Sequence, residues 1–329
     1  FLAGGPACAK LAQPPPLHWR VRHPFLARFL PMKPGFGRTA ALLIAMVTGA
    51  LLPQAHALAW TIRWLVMAML FLVFLGTRPA RAAFQRSHGV LLLANLGLGL
   101  TAWGLGWLVG GRDVALAAFF AGIAPTAVAS PPIISFLHGR VDYMVAAVFL
   151  TNLSIEAMLP LLLPFVLNQA TPDAFMQVLR SVGLVIFTPL AVAWIVRLLH
   201  PPAATWPERR RDLSFAMWII ALFLVTANAS DFVRRQTAAP HLVLAQIAVV
   251  TLAVCAAGFG LGRVIGGREF GREASQALGQ KHTTFAIYLA LTYASPLVAL
   301  GPTCYVVWHN LWNSWQLHRA AVRHSSQGG

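Results

Sequence analysis

Long apolar runs joined by short polar connections are the feature that most constrains this chain. Hydrophobic residues make up 58% of the sequence and charged residues only 10%, whereas a soluble domain carries roughly a quarter charged residues. Several runs reach the roughly 17–25 residues that span a bilayer as a helix. The sequence therefore predicts an all-α polytopic membrane protein. We count ten predicted spans, at 39–54, 57–76, 89–109, 114–135, 143–167, 175–199, 213–230, 241–264, 274–297 and 302–317.

The basic residues predict the orientation of these spans. The net charge of +16 suggests nucleic acid at first sight, but the arginines lie between apolar runs, so we expect a lipid bilayer and no nucleic acid as partner. Cytoplasmic loops are enriched in Lys and Arg. With ten spans, one side holds Lys33, Arg38, Arg78, Arg81, Arg86, Arg140, Arg209, Arg210, Arg211, Arg263, Arg268, Arg272, Arg319 and Arg323. The loops of the other side hold only Arg112, Arg234 and Arg235. We predict an inner-membrane protein with both termini in the cytoplasm.

The span count divides the chain into four parts. A basic, proline-rich cytoplasmic tail covers 1–37, two groups of five helices cover 38–167 and 168–318, and a second cytoplasmic tail covers 319–329. The first tail lacks the apolar core of a signal peptide. Because the first candidate start is Met32, part of this tail is a candidate upstream translation artefact, with a short interfacial segment as the alternative.

Two spans contain residues that interrupt a helix. Span nine begins with a glycine and four polar residues, GQKHT at 279–283. A lysine inside a bilayer costs about 2.5–3.5 kcal/mol on insertion scales and marks a site. Span four contains Pro125, Pro131 and Pro132, and a proline inside a helix removes a backbone donor and clashes with the preceding turn. Broken helices at membrane depth are tolerated only where they are buried in protein or line a cavity.

Each interrupted span is the fourth in its group of five. Because five is odd, the two groups have opposite orientations in the membrane. This arrangement is typical of an inverted repeat whose broken helices cross at the midplane and form the binding site. We therefore predict that helices 4 and 9 are discontinuous and cross. The alternative is that proline and glycine are simply common in membrane helices.

Span five adds a carboxylate to this region. Asn152 and Glu156 are four residues apart and share a helix face, and Glu156 is the one acid well inside a predicted span. An unpaired carboxylate there would be protonated or would need a cation. Lys281 is the one lysine in the spans, so we predict that it lies near Glu156. The alternative is a solvated Glu156 at the outer end of its span.

Other polar residues carry weaker predictions. Asn95 in span three and Gln246 in span eight occupy matching places and favour interhelical hydrogen bonds, and Asn95 is also a candidate for a cation site. His282 adjoins the predicted break and is a candidate proton acceptor. We interpret His309 as a packing residue rather than a proton relay. The three cysteines contain no CxxC pair, so we predict neither a disulfide nor a metal site.

Three segments carry a resemblance to a known family. They are GIAPTAVASPPIISFLHGR at 122–140, GQKHT at 279–283 and YVVWHNLWNSWQL at 305–317. Together they resemble the bile acid:sodium symporter family, in the superfamily that also holds arsenite exporters. The resemblance covers 25–317. It implies ten helices, a panel domain of helices 1, 2, 6 and 7, a core domain of the others, and alternating access through movement of core against panel.

The chain departs from that family at the residues of its sodium sites. Where the family has Ser-Asn on helix 4, this chain has Ser130-Pro131. Where the family has a glutamate four residues before Gln-Asn on helix 9, this chain has Gln276 and then Gln280-Lys281. Helix 9 therefore loses an anion and gains a cation.

Helix 5 changes in the opposite sense, because Asn152 and Glu156 stand where the resemblance implies small hydroxyl residues. We infer that Lys281 stands in for the bound ion and pairs with Glu156. Coupling would then be to protons, through these groups or His282, or to no ion; sodium remains the alternative. The candidate substrate or ion site comprises Asn95, Pro125, Thr126, Ser130, Pro131, Asn152, Glu156, Gln276, Gln280, Lys281, His282 and Thr283.

The predicted function is secondary transport of a small organic anion, because a lysine and the N-terminal ends of broken helices favour negative charge. One alternative is an arsenite-type exporter, but such proteins use a cysteine in the fourth helix and span four has none. A membrane enzyme would need a metal-binding cluster or a Ser/His pair, and we predict no enzymatic activity. The third alternative is a non-transporting sensor or assembly subunit.

Overall fold

The computed structural model describes residues 36–76, 79, 81–209, 211–235 and 241–325. Within these ranges nearly every residue is helical and no β-strand is present beyond one isolated bridge. The helices are α1 (Phe36–Leu51), α2 (Thr61–Gly76), α3 (Arg86–Ile123), α4 (Ser130–Phe136), α5 (Val141–Val166), α6 (Pro172–Leu199), α7 (Trp206–Arg209), α8 (Arg211–Arg235), α9 (His241–Gly279), α10 (Thr283–Tyr293) and α11 (Pro296–Ser325). Short 3-10 helices lie at Pro53–Leu58, Arg81–Ala83 and Pro201–Thr205.

Five of the described helices, α3, α5, α6, α8 and α9, are long and apolar enough to cross a membrane, and α1, α2 and α10 contain shorter apolar segments. Large apolar side chains point outward from several of these helices: Leu108 is 84% exposed, Leu199 79% and Val264 76%. An apolar outer surface of this kind suits lipid tails rather than water. The predicted helical, membrane-type architecture is therefore confirmed at this coarse level.

Two of the predicted connections between spans are not loops but kinks at glycines, one within α3 and one within α9. In α3 the backbone leaves helical geometry at Gly110 and Gly111, and in α9 it does so at Gly267 and Phe270. Gly111 has a φ of 73° and Gly267 a φ of 58°, left-handed values that glycine adopts at little steric cost. The chain thus turns without an intervening loop. We call the stretches beyond the kinks, 112–123 and 271–279, the second limbs of α3 and α9.

Most of the helices pack around one large apolar core. α3 packs along α9, α1 along α8 and α2 along α6, while α11 contacts α3, α9 and α10. Leu70, Phe119 and Val185 are fully buried in this core. The contact between α11 and α3 is close at Gly301, where an added Cβ would lie 2.7 Å from the carbonyl carbon of Ala117. Only glycine allows the two backbones to approach this closely.

A second cluster ties the connection between α4 and α5 to the second limb of α9. The backbone N–H of Arg140 donates to Oε1 of the buried Glu273 at 2.7 Å, and the Arg140 guanidinium pairs with the exposed Glu269 at 3.0 Å. The same guanidinium lies 4.9 Å from the ring centroid of Phe270, on which Tyr143 also stacks. These contacts fix the end of α4 against α9.

Most of the predicted N-terminal tail lies outside the described residues, whereas much of the predicted C-terminal tail is described. The N-terminal tail at 1–37 lies outside the described residues apart from its last two positions. α11 continues to Ser325, so the predicted start of the C-terminal tail at 319 falls inside a helix.

Candidate functional site

The first helix break separates α3 from α4. α3 ends at Ile123 and α4 begins at Ser130. Pro125 lies in the intervening segment, while Pro131 and Pro132 stand in the first turn of α4. First-turn N–H groups have no partner within the helix, so proline is tolerated there. The prolines therefore end one helix and begin the next instead of kinking a continuous one.

The second helix break separates α9 from α10. α9 ends at Gly279 and α10 begins at Thr283, which leaves 280–282 outside both helices. An added Cβ at Gly279 would lie 2.7 Å from a ring carbon of Phe259. A side chain at this position would clash with that buried ring. Glycine therefore allows the end of α9 to lie against Phe259, which precedes the kink in the same helix.

The two breaks run antiparallel and hydrogen-bond to each other. The N–H of Ala127 donates to the carbonyl oxygen of Gln280 at 2.8 Å, and the N–H of His282 donates to the carbonyl oxygen of Pro125 at 2.7 Å. Backbone groups away from water must find a partner within the protein. Each break therefore supplies partners that the other break needs.

Thr126, at the centre of the first break, faces Lys281 in this antiparallel bridge. Its remaining groups bond to side chains and backbone nearby: its N–H donates to Thr151 Oγ1 at 3.2 Å, and its carbonyl accepts from Asn152 Nδ2 at 2.9 Å. Its hydroxyl donates to the carbonyl of Ala277 at 2.6 Å. Helix α5 thus holds the first break in place from one side and α9 from the other.

Lys281 is one of the largest fully buried side chains, at 1% exposure. Its Nζ donates a hydrogen bond to Oδ1 of Asn95 on α3. Asn95 in turn donates from Nδ2 to the carbonyl oxygen of Ile123 at 2.9 Å. Asn95 therefore joins the last carbonyl of α3 to Lys281 Nζ, and its single amide bonds to both.

The predicted pair of Lys281 and Glu156 is not formed. No ion pair joins these two residues, and neither carboxylate oxygen of Glu156 has a hydrogen-bond partner among the described residues. On α5 it is Asn152 that reaches the breaks, and Glu156 lies one turn, about 6 Å, further along the helix. The alternative of a solvated Glu156 is also wrong, because this side chain is 1% exposed.

The other predicted site residues lie around the breaks. All twelve are buried except Pro131, which is half-buried. Gln276 donates from Nε2 to Asn313 at 2.9 Å and to Gln316 at 2.8 Å, both on α11. Several buried polar atoms have no hydrogen-bond partner within the described ranges: Ser130 Oγ, Asn152 Oδ1, Gln276 Oε1, Gln280 Oε1 and His282 Nδ1.

Sequence reasoning missed a polar face of α11. Tyr305 donates its hydroxyl proton to the carbonyl of Gly279 at 2.7 Å and so satisfies the last residue of α9. His309 is 1% exposed, and neither of its ring nitrogens has a partner in the described part of the chain. Tyr305, His309 and Asn313 recur at every fourth residue, which is the spacing of one helix face. That spacing is visible in the sequence and would have indicated the face.

These features define a class: a helical, membrane-type protein in which two helix breaks are hydrogen-bonded to each other and one of them contains a buried lysine. No group of three His, Cys, Asp or Glu side chains suited to a metal ion occurs among the described residues. In comparisons with known proteins, no family model and no curated protein matched this chain. The resemblance to bile acid:sodium symporters therefore rests on the three sequence segments that carry it.

Proposed function

We propose that the protein is a secondary active transporter that carries an organic anion across the inner membrane by alternating access, with both termini in the cytoplasm. The observation that carries this proposal is the pair of mutually hydrogen-bonded helix breaks beside the buried Lys281. In many transporters, discontinuous helices form the substrate and ion sites near the bilayer midplane. A sensor or assembly subunit, the rival class, has no need of such a centre.

The order of features along the chain supports two inverted five-helix repeats. α3 and α9 each turn at a glycine, at Gly111 and Gly267, and each is followed by a break and a short helix, α4 or α10. The antiparallel bridge between the breaks agrees with opposite orientations of the two repeats. The packing of α1 with α8 and α2 with α6 supports a panel, and the packing of α3, α9, α10 and α11 supports a core.

Lys281 acts in this proposal as a built-in cation that replaces sodium. Its ammonium bonds to the amide oxygen of Asn95, a neutral oxygen of the type that binds a sodium ion. The family-like glutamate on helix 9 is replaced by Gln276, which removes the anion that a mobile cation would need. A second cation beside Lys281 would be repelled, and the repulsion is strong in a medium of low dielectric constant. Transport therefore does not require sodium.

The substrate is an anion because Lys281 has no acidic partner among the described residues. A buried ammonium without a counterion is costly, and a bound carboxylate offsets this cost. The surrounding core is apolar, which favours a partly hydrophobic acid. Glu156 is buried without a partner for either oxygen, and we assign it as the proton carrier that couples transport to a pH gradient.

A two-stage experiment tests the proposal. A thermal-shift screen of small carboxylic acids on purified protein, in sodium or choline buffer, first finds a ligand. Counterflow of that ligand, isotopically labelled, is then measured in proteoliposomes. We expect stabilisation and counterflow in both salts. Lys281→Met should abolish both, whereas Gln246→Leu, a matched loss of a hydrogen-bonding side chain on α9, should retain both.

Glu156→Gln separates coupling from translocation. Exchange of one substrate for another needs no net proton movement, so this variant should keep counterflow but lose uptake driven by a pH gradient. A strict sodium requirement would overturn the assignment of Lys281 as the built-in cation. A ligand that binds but never undergoes counterflow would favour the sensor alternative.

A further inference from the structure

A groove lined by aromatic residues lies on the outer surface between α9 and α11, apart from the helix breaks. It is a cavity of about 410 Å³ lined by Leu252, Trp308, Leu311, Trp312 and Trp315. Leu311 and Trp315 are each 48% exposed and Leu252 is 45% exposed. The groove is therefore open towards the surroundings of the protein.

The tryptophans form a row along the helix axis. Trp308 and Trp315 are seven residues apart, which corresponds to about 10 Å of helix rise. Interfacial belts of Trp occupy only the headgroup layers, each about 5–7 Å thick, so the row covers more depth than one belt. Trp312 lies between them and stacks on Phe259, with ring centroids 5.0 Å apart. A row with this direction lies parallel to an acyl chain.

Polar groups mark one end of the groove. The Arg319 guanidinium lies over the Trp315 ring, with its carbon 4.7 Å from the ring centroid, and it forms no ion pair with any described acid. One turn below Trp315, Trp312 Nε1 is buried and has no acceptor among the described residues, whereas Trp308 Nε1 already donates to Thr251 at 3.3 Å. One end of the groove therefore carries a guanidinium that has no acidic partner among the described residues.

We propose that this groove binds an anionic phospholipid. The phosphate accepts from Arg319, and one acyl chain of the same lipid lies along the three tryptophans. Arg263, which lies shortly before the kink of α9, is exposed and adds positive potential at the headgroup level. Arginine suits phosphate because its planar guanidinium donates two parallel hydrogen bonds.

Native mass spectrometry of the detergent-purified protein tests the proposal. The probes are palmitoyl-oleoyl phosphatidylglycerol and the zwitterionic phosphatidylcholine with the same chains, offered in equal amounts. We expect phosphatidylglycerol adducts to dominate. Because one basic residue at a membrane surface contributes about a fivefold change in binding to anionic lipid, Arg319→Ala should weaken phosphatidylglycerol binding about fivefold and leave phosphatidylcholine binding unchanged. Arg86→Ala, which removes an exposed arginine at the start of α3, should change neither.

A further variant examines the groove itself. Trp315→Ala should weaken the binding of both lipids. Equal binding of the two lipids by the unmodified protein, or equal effects of the Arg319 and Arg86 changes, would overturn the proposal. So would displacement of phosphatidylglycerol by soluble glycerol phosphate, which would indicate a simple anion site, or dimer peaks that appear only when lipid is removed.

Discussion

Replacing Asn95 with leucine tests whether the buried Lys281 carries its charge. Asn95 accepts a hydrogen bond from the ammonium and donates one to the carbonyl of Ile123 at 2.9 Å. Asn95→Leu therefore leaves a buried cation without an acceptor and a buried carbonyl without its side-chain donor. Lys281→Met, in contrast, leaves only one amide oxygen unpaired.

The magnitudes distinguish a charged lysine from a neutral one. A hydrogen bond to a charged group contributes about 1.5–3 kcal/mol, and a buried unsatisfied polar group costs about 1–3 kcal/mol. We expect Asn95→Leu to lower the free energy of unfolding by about 3–5 kcal/mol. Lys281→Met should change it by less than about 1 kcal/mol, because the unpaired amide oxygen is offset by removal of an uncompensated buried cation. Either single variant removes the hydrogen bond between Asn95 and Lys281, but the double variant loses this bond only once. The effect of the double variant should therefore differ from the sum of the two single effects by a coupling energy of about 2 kcal/mol. Neutral interhelical hydrogen bonds in membranes average only about 0.6 kcal/mol.

The assay is a double-mutant cycle of unfolding free energies in detergent micelles, followed by circular dichroism. In the matched control cycle, Gln246→Leu takes the place of Asn95→Leu. Gln246 also donates to a carbonyl, that of Val109 at 2.8 Å, but it is half-buried and has no hydrogen bond to Lys281. The control cycle should be additive within about 0.5 kcal/mol. A coupling of about 0.6 kcal/mol or less between Asn95 and Lys281 would refute the argument for a charged ammonium.

Two further predictions concern the close packing of α11 on α3 and the hydrogen bond between Glu273 and Arg140. Gly301→Ala forces a Cβ against the backbone of α3 and should destabilise the protein by about 1–3 kcal/mol. Gly104→Ala, where nothing lies within 4 Å of the added Cβ, should instead stabilise the protein by about 0.5–1 kcal/mol. Equal melting temperatures of the two variants would contradict this prediction. Glu273→Gln weakens the buried hydrogen bond to the N–H of Arg140. It should lower the melting temperature more than Glu269→Gln, because the Glu269 side chain that pairs with Arg140 is 64% exposed. A larger decrease for Glu269→Gln would contradict this prediction.

The positions of the helix breaks could be predicted from sequence because their causes are local. A proline ends a helix through its own ring and missing N–H, and this effect places the end of α3 before Pro125. A glycine followed by polar residues likewise predicted the end of α9 at Gly279. The kinks at Gly111 and Gly267 were predicted as loops, because the sequence does not reveal whether a glycine pair leaves the helix or only turns it.

The contacts between helices could not be predicted in the same way. The depth and rotation of α5 relative to the breaks decide whether Asn152 or Glu156 reaches them, and these quantities depend on packing along the whole helix. Of these two residues, it is Asn152 that bonds to the first break. Charge complementarity alone favoured a pair of Lys281 with Glu156, whereas the structure gives Lys281 an amide partner on α3. A search for opposite charges overlooks a neutral acceptor of this kind.

The mutual bonding of the two breaks restricts how such a centre can move. Ala127 and Gln280 share one backbone hydrogen bond, and Pro125 and His282 share another. Separating the breaks would leave these buried groups without partners, at a cost of about 1–3 kcal/mol each. In the proposed transport cycle, a conformational change that opens the site must therefore carry both breaks together as one body. The movement then has to occur at contacts between this body and the surrounding helices, such as those of α8 with α11 and α5 with α6.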